Sequence, residues 1–121
     1  MTDITTDTDI KTMVNNFYLK VRKDELLGPV FNSKIQNWDE HLPTMYKFWE
    51  TLMFGKASYK GRPFPKHLPL DINGTHFAQW IALFCETVDE NFKGEKAEEA
   101  KMRARSIAKV FQFKMETIKG V

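Results

Sequence analysis

Few residues in this chain have the type and spacing that chemistry needs. Three histidines and one cysteine are present, and no HExxH pair, glycine-rich phosphate loop or CxxC pattern occurs. His67 stands out, because Pro63, Pro65 and Pro69 around it lack N–H donors and leave local carbonyls without intrachain partners. One such carbonyl could accept the Nδ1 proton, which would fix the tautomer and leave Nε2 basic and free to bind a metal. Local sequence favours reading the same residue as a partly exposed loop histidine, and its spacing does not overturn that. A zinc site built from His41, His67 and His76 lacks the i, i+4 pairing that would support it. Cys85 lies among apolar residues in a helical stretch, where a thiol is a small buried hydrophobe.

The elements that must position these residues are helical. Ile10, Met13, Val14, Phe17, Tyr18 and Val21 recur at the period of one helix face, with Asp7 or Asp9 expected as the cap and Gly28-Pro29 as the break. A second helix is expected from about His41 to Phe54, with Met45, Phe48, Trp49 and Leu52 inward, Gly55 as its stop and Pro43 in its first turn. The stretch from 55 to 74 holds three glycines and three prolines, which exclude a long helix, yet it is too apolar to be simply unstructured. Loops of that length inside a compact domain tend to serve function. Thr75 is then expected to cap a helix carrying Phe77, Trp80, Ile81, Phe84 and Val88 on one face, closed by Lys93-Gly94. A last helix is expected from about Glu95 to Lys119, turning Ala97, Ala100, Ala104, Ile107, Ala108, Phe111, Met115 and Ile118 inward and leaving Lys96, Glu99, Arg103 and Arg105 to solvent.

With no alternation of strand period, the pattern predicts an all-α fold. The 121 residues fit a single domain spanning 1–121. The formal charge of +2, interspersed along the chain, points to neither nucleic acid nor an anionic membrane, and no apolar run approaches a membrane span. The acidic start MTDITTDTD is unlike a signal peptide, and a lone cysteine fits a reducing compartment, so a cytoplasmic protein is expected. Ten phenylalanines and six methionines supply flat and deformable side chains enough to line an apolar pocket.

Four stretches, NFYLKVRKDELLGPVFN at 16–32, HLPTMYKFW at 41–49, YKGRPFPKHL at 59–68 and HFAQWIALF at 76–84, together and in this order resemble the group III (P-type) truncated haemoglobins. The glycine-glycine motifs of the other truncated groups are absent. This resemblance implies a truncated globin, a two-over-two helical sandwich enclosing haem, in which a long proximal loop replaces most of one helix. It implies that His67 is the proximal iron ligand and that Tyr18, His41 and Trp80 form the distal set. Met45 would sit over the haem, with Phe31, Phe48, Trp49, Leu52, Phe64, Phe84, Ile107 and Phe111 as further pocket wall. Tyr59, Arg62 and Lys66 would serve the haem propionates, as a phenol and bases suit carboxylates.

No CxxCH motif offers thioether attachment, so the cofactor implied is non-covalent haem b. The implied activity is binding of dioxygen, NO and CO at the sixth iron position, Tyr18 and Trp80 donating to the ligand and His41 gating its entry. A redox role follows as a hypothesis, either peroxide activation (peroxidase-like) or nitric oxide oxidation (dioxygenase-like), served by a separate electron donor in a monomer. The alternative from another class is a haem-based ligand sensor.

Overall fold

The computed structural model describes residues 1–56 and 72–119, with side chains through residue 116. Among these residues the helices are α1 (Asp7–Lys23), α2 (Leu27–Lys34), α3 (Trp38–Phe54), α4 (Gly74–Asn91) and α5 (Glu95–Lys119). No strand occurs among the described residues. α1 pairs with α3 and α4 with α5, and α1 also packs on α4, so that one helix pair lies against the other.

Four of these helices follow the sequence pattern, but their ends differ from expectation for a common reason. Thr6 caps α1 in a reciprocal box with Asp9, whose carboxylate reaches back to the Thr6 N–H; the expected cap Asp7 lies inside the helix. α1 stops at Lys23, and Gly28-Pro29, expected to be a simple break, instead lies in the first turn of α2, where proline is well tolerated. Asp24 makes the junction, accepting from the Leu26 and Leu27 N–H groups and from the Gln79 amide of α4 at 2.7 Å. Gly28 is required there, since a Cβ would meet the Arg22 carbonyl oxygen at 2.8 Å.

α3 begins a turn earlier than the apolar pattern suggests, because Asn37 caps it by accepting from the Glu40 N–H. Pro43 therefore lies in the second turn and not the first, and removes one N–H from the helical ladder. Gly55 ends α3 in the left-handed conformation, as its type predicts. At α4 the cap is Asn73 and not Thr75, and α4 closes at Asn91 before the chain turns through Gly94. α5 has the expected bounds. Ile118 lies outside the described side chains.

The core is continuous through Ile10, Met13, Val14, Phe17, Val21, Phe84 and Val88, with Ala97, Ala100 and Ala104 on the inner face of α5. These alanines let α5 approach closely, which larger residues at the same positions would prevent. Trp49 stacks on Phe84 at 4.9 Å, Phe84 stacks on Trp80 at 5.8 Å, and Phe17 meets Phe84 edge-on at 5.2 Å. Residues from α1, α3 and α4 thus share one aromatic cluster.

Polar ties hold the pairs in register. The Tyr46 hydroxyl donates to Asn15 at 2.5 Å between α3 and α1. Lys20 of α1 pairs with Glu86 and Glu90 of α4, and Lys101 of α5, only 9% exposed, lies between Asp89 and Glu98. Lys96 was expected to be plain surface; its ammonium instead donates to the Met53 carbonyl at the end of α3. The polar lead segment is also integral, since Ile4 is fully buried and the Asp3 carboxylate accepts from the Lys96 and Ala97 N–H groups that begin α5.

Candidate functional site: an apolar cavity with inward donors

A cavity of about 720 Å³, counting its open mouth, lies between the helix pairs. α1 supplies Tyr18; α2 supplies Leu27 and Phe31; α3 supplies Met45, Phe48 and Trp49; α4 and the residues leading to it supply Ile72, His76, Phe77 and Trp80; α5 supplies Ile107, Ala108 and Phe111. Its mostly aliphatic and aromatic lining is that of a site for a small organic molecule or cofactor.

The polar groups on this wall are few. Tyr18 is 7% exposed, and its hydroxyl makes no hydrogen bond with any described residue. Burial pushes its phenol well above the ordinary tyrosine range, so it stays protonated and able to donate. Its position is fixed by Phe17, at 4.9 Å, and by Trp38, at 5.5 Å. Trp80 lies edge-on to Phe17 at 5.5 Å and stacked on Phe84, which sets the plane of its indole; an indole N–H can only donate. No carboxylate belongs to the wall among the described residues.

Phe31, Met45, Phe48, Trp49, Ile107 and Phe111, expected at the pocket, line this cavity together with Tyr18 and Trp80. Leu52 and Phe84 do not line it: Phe84 is fully buried behind Trp80, and Leu52 packs partly buried against the core. His41 also lies off the wall, with its ring 6.4 Å from Tyr18 and nearly perpendicular to it. It was expected at a fraying helix start, but α3 begins three residues before it and its N–H donates to the Asn37 carbonyl. His67, Tyr59, Arg62, Phe64 and Lys66 lie outside the described residues.

Sequence reasoning passed over Leu27, Ile72 and His76 as pocket residues, while Phe77 and Ala108 had been placed on inward faces without a role. It also missed Trp38, which is buried, holds His41 edge-on at 5.9 Å, donates its N–H to Asn32 and carries the Arg22 guanidinium over its ring at 5.0 Å. The signal was there, since Trp38 precedes His41 by three residues and so shares its helix face. Placing the helix start at His41 hid it.

Residues 2–116 match the bacterial-like globin family. The chain belongs to that family. Within it, this globin is a group III truncated haemoglobin: it is 36% identical over 108 residues, 85% of each chain, to the group 3 truncated hemoglobin ctb of Campylobacter jejuni subsp. jejuni. A crystal structure of group III truncated hemoglobin from Campylobacter jejuni superposes with a TM-score of 0.88, at 33% identity and covering 95% of both chains. The fold is accordingly the all-α, two-over-two truncated globin fold, α1 and α3 forming one pair and α4 and α5 the other. No helix among the globin's described residues is long and apolar enough to cross a membrane.

The cavity fits the haem that globins bind. A haem is a flat apolar disc, which suits an aromatic and aliphatic wall, and a ligand on its iron is an electronegative acceptor, which suits a hydroxyl on the cavity wall with no protein partner among the described residues.

Proposed function

We propose that this globin binds haem b without covalent attachment, through His67, and holds dioxygen, NO or CO between the Tyr18 hydroxyl and the Trp80 indole. One observation carries the reading: Tyr18, more than nine-tenths buried as a residue, lines an apolar cavity, and its hydroxyl makes no hydrogen bond with any described residue. Among the described residues no side-chain polar atom is both fully buried and unpartnered, so this hydroxyl opens on the cavity, where a ligand can meet it. The haem supplies the iron at which diatomic ligands bind.

The chain's own residues supply the rest. Tyr18 stays protonated, because burial disfavours its phenolate, and donates to the ligand; Trp80 donates from the other helix pair. Each bond to a partly charged acceptor contributes about 1.5–3 kcal/mol, slowing ligand escape roughly ten- to a hundredfold. Met45, Phe48 and Phe111 exclude water, which strengthens both bonds. Tyr59, Arg62 and Lys66 are the residues proposed to meet the propionates. A ligand held this firmly suits redox chemistry, peroxide activation or nitric oxide oxidation, better than delivery. That role takes its electrons from a separate donor, in a cytoplasmic monomer with one domain.

The test begins with the purified protein, which is expected to show an intense Soret band. His67→Gly should lose it, and added imidazole should restore part of it by taking the vacated ligand position. A folded helical protein that takes up no haem would overturn the reading, and an unaltered band in His67→Gly would overturn the assignment of the ligand.

A further inference from the structure

His76 is the polar residue of the cavity wall that the distal set leaves unused. Its ring is turned by the start of α4. The Asn73 N–H donates to Nδ1 at 3.1 Å, within a reciprocal capping box. Nδ1 also lies 3.3 Å from the Asn73 side-chain oxygen, a longer contact that would need the proton on Nδ1, whereas the Asn73 backbone N–H can only donate. A nitrogen that accepts from a backbone N–H carries a lone pair, so the neutral imidazole holds its proton on Nε2. Nε2 makes no hydrogen bond with the described residues, and the ring lines the cavity beside Ile72 and Phe77. The structure thereby builds an oriented N–H donor into an apolar wall.

Its place on the wall selects its partner. Tyr18 is buried, as suits an uncharged diatomic ligand, whereas His76 is only partly buried. A carboxylate keeps part of its hydration beside a partly exposed residue and would lose it beside a fully buried one. The first turn of α4 carries no acidic side chain, and the field of a helix N-terminus favours a negative group there. We propose that His76 donates its Nε2–H to a carboxylate of the bound haem and so retains the cofactor, a role that rests on the haem reading above. His76 is then a cofactor-binding residue supplied by α4, separate from the proximal loop.

The experiment measures haem loss to an excess of a haem-scavenging apoprotein, from wild type, His76→Phe and His76→Gln, each loaded either with haem or with haem dimethyl ester. Circular dichroism checks that each variant is folded. With ordinary haem, His76→Phe is expected to lose the cofactor about tenfold faster than wild type, the loss of one charge-assisted hydrogen bond, while the side-chain amide of His76→Gln keeps most of the retention. With the diester, whose carboxylates are blocked, the gap should shrink to less than about twofold.

The ester arm separates this role from that of a helix cap. Loss of the Asn73 contact alone would speed release of both cofactors equally, and that result would overturn the proposal. Equal retention of ordinary haem by wild type and His76→Phe would overturn it as well. Wild type that takes up neither cofactor would instead strike down the haem reading on which it rests.

Discussion

Tyr18 exposes a conflict between stability and function within one side chain. Its ring is core, packed against Phe17 and Trp38, but its hydroxyl opens on the cavity and has no partner among the described residues. A hydroxyl that no protein group meets adds no hydrogen bond to the stability of the haem-free fold. Tyr18→Phe is therefore expected to leave the haem-free protein as stable as wild type or more so in urea unfolding, while dioxygen release from the haem-loaded protein, followed by stopped flow, quickens roughly ten- to a hundredfold. Destabilisation of the haem-free variant would mean the hydroxyl has a structural partner.

The pH dependence follows from the same burial. Because the folded phenol has a raised pKa, stability is full below the ordinary tyrosine value of about 10 and falls as pH rises past it, where the unfolded phenol ionises and the folded one resists. Tyr18→Phe should lose less stability over that alkaline range. Tyr18 and Trp80 were legible from their helix faces because their aromatic bodies are core residues. His76 was not, because its role depends on which ring nitrogen the Asn73 N–H meets, and that is set by cap geometry.

At the scale of the element, the periodic interiors of the helices could be read from sequence but their ends could not. α3 shows why: Trp38 extends its apolar period by only one residue beyond Leu42, and the helix start is set by Asn37, whose side chain caps it. Gly28-Pro29 misled in the same way, since proline ends one helix and begins another with equal ease. The N-terminal lead gave no periodic signal at all, although Asp3 clasps the start of α5. Burial works against the Asp3 carboxylate, but the N–H groups of Lys96, Ile4 and Ala97 and the Lys96 charge outweigh it and hold its pKa below the ordinary value.

Asp3→Ala is expected to cost about 1–2 kcal/mol near neutral pH, as loss of a helix cap does. Asp3's contribution is present above the ordinary carboxylate pKa and is lost as pH falls through its own lowered value. Urea unfolding at neutral and acid pH should therefore show the gap between wild type and variant narrowing as pH falls. A gap that stays constant would assign the effect to packing of the lead segment and not to its charge. Gly94 belongs to the same clasp, since a Cβ there would meet the Asp3 side chain at 2.4 Å and its φ of 147° excludes most other residues.

Across the whole molecule, the cavity is held open by what lies behind it. Phe84 touches nothing in the cavity, yet it stacks between Trp49 of α3 and Trp80 of its own helix, and Phe17 of α1 meets its edge. It is the residue through which the two helix pairs agree on where both tryptophans sit. Phe84→Ala removes a fully buried ring and should cost about 3–5 kcal/mol, a large part of the roughly 5–15 kcal/mol that stabilises a domain of this kind. Phe84→Leu keeps most of the volume and should cost less, leaving enough folded protein for ligand kinetics.

If Phe84 sets the plane of Trp80, the leucine variant should also release dioxygen several-fold faster although no wall residue has changed, because a misaimed N–H donates poorly. The two effects can be separated by adding Trp80→Phe. With the indole N–H gone, Phe84→Leu should still destabilise but should no longer affect release. Release that quickened equally in both backgrounds would mean that Phe84 acts on the whole cavity and not through Trp80.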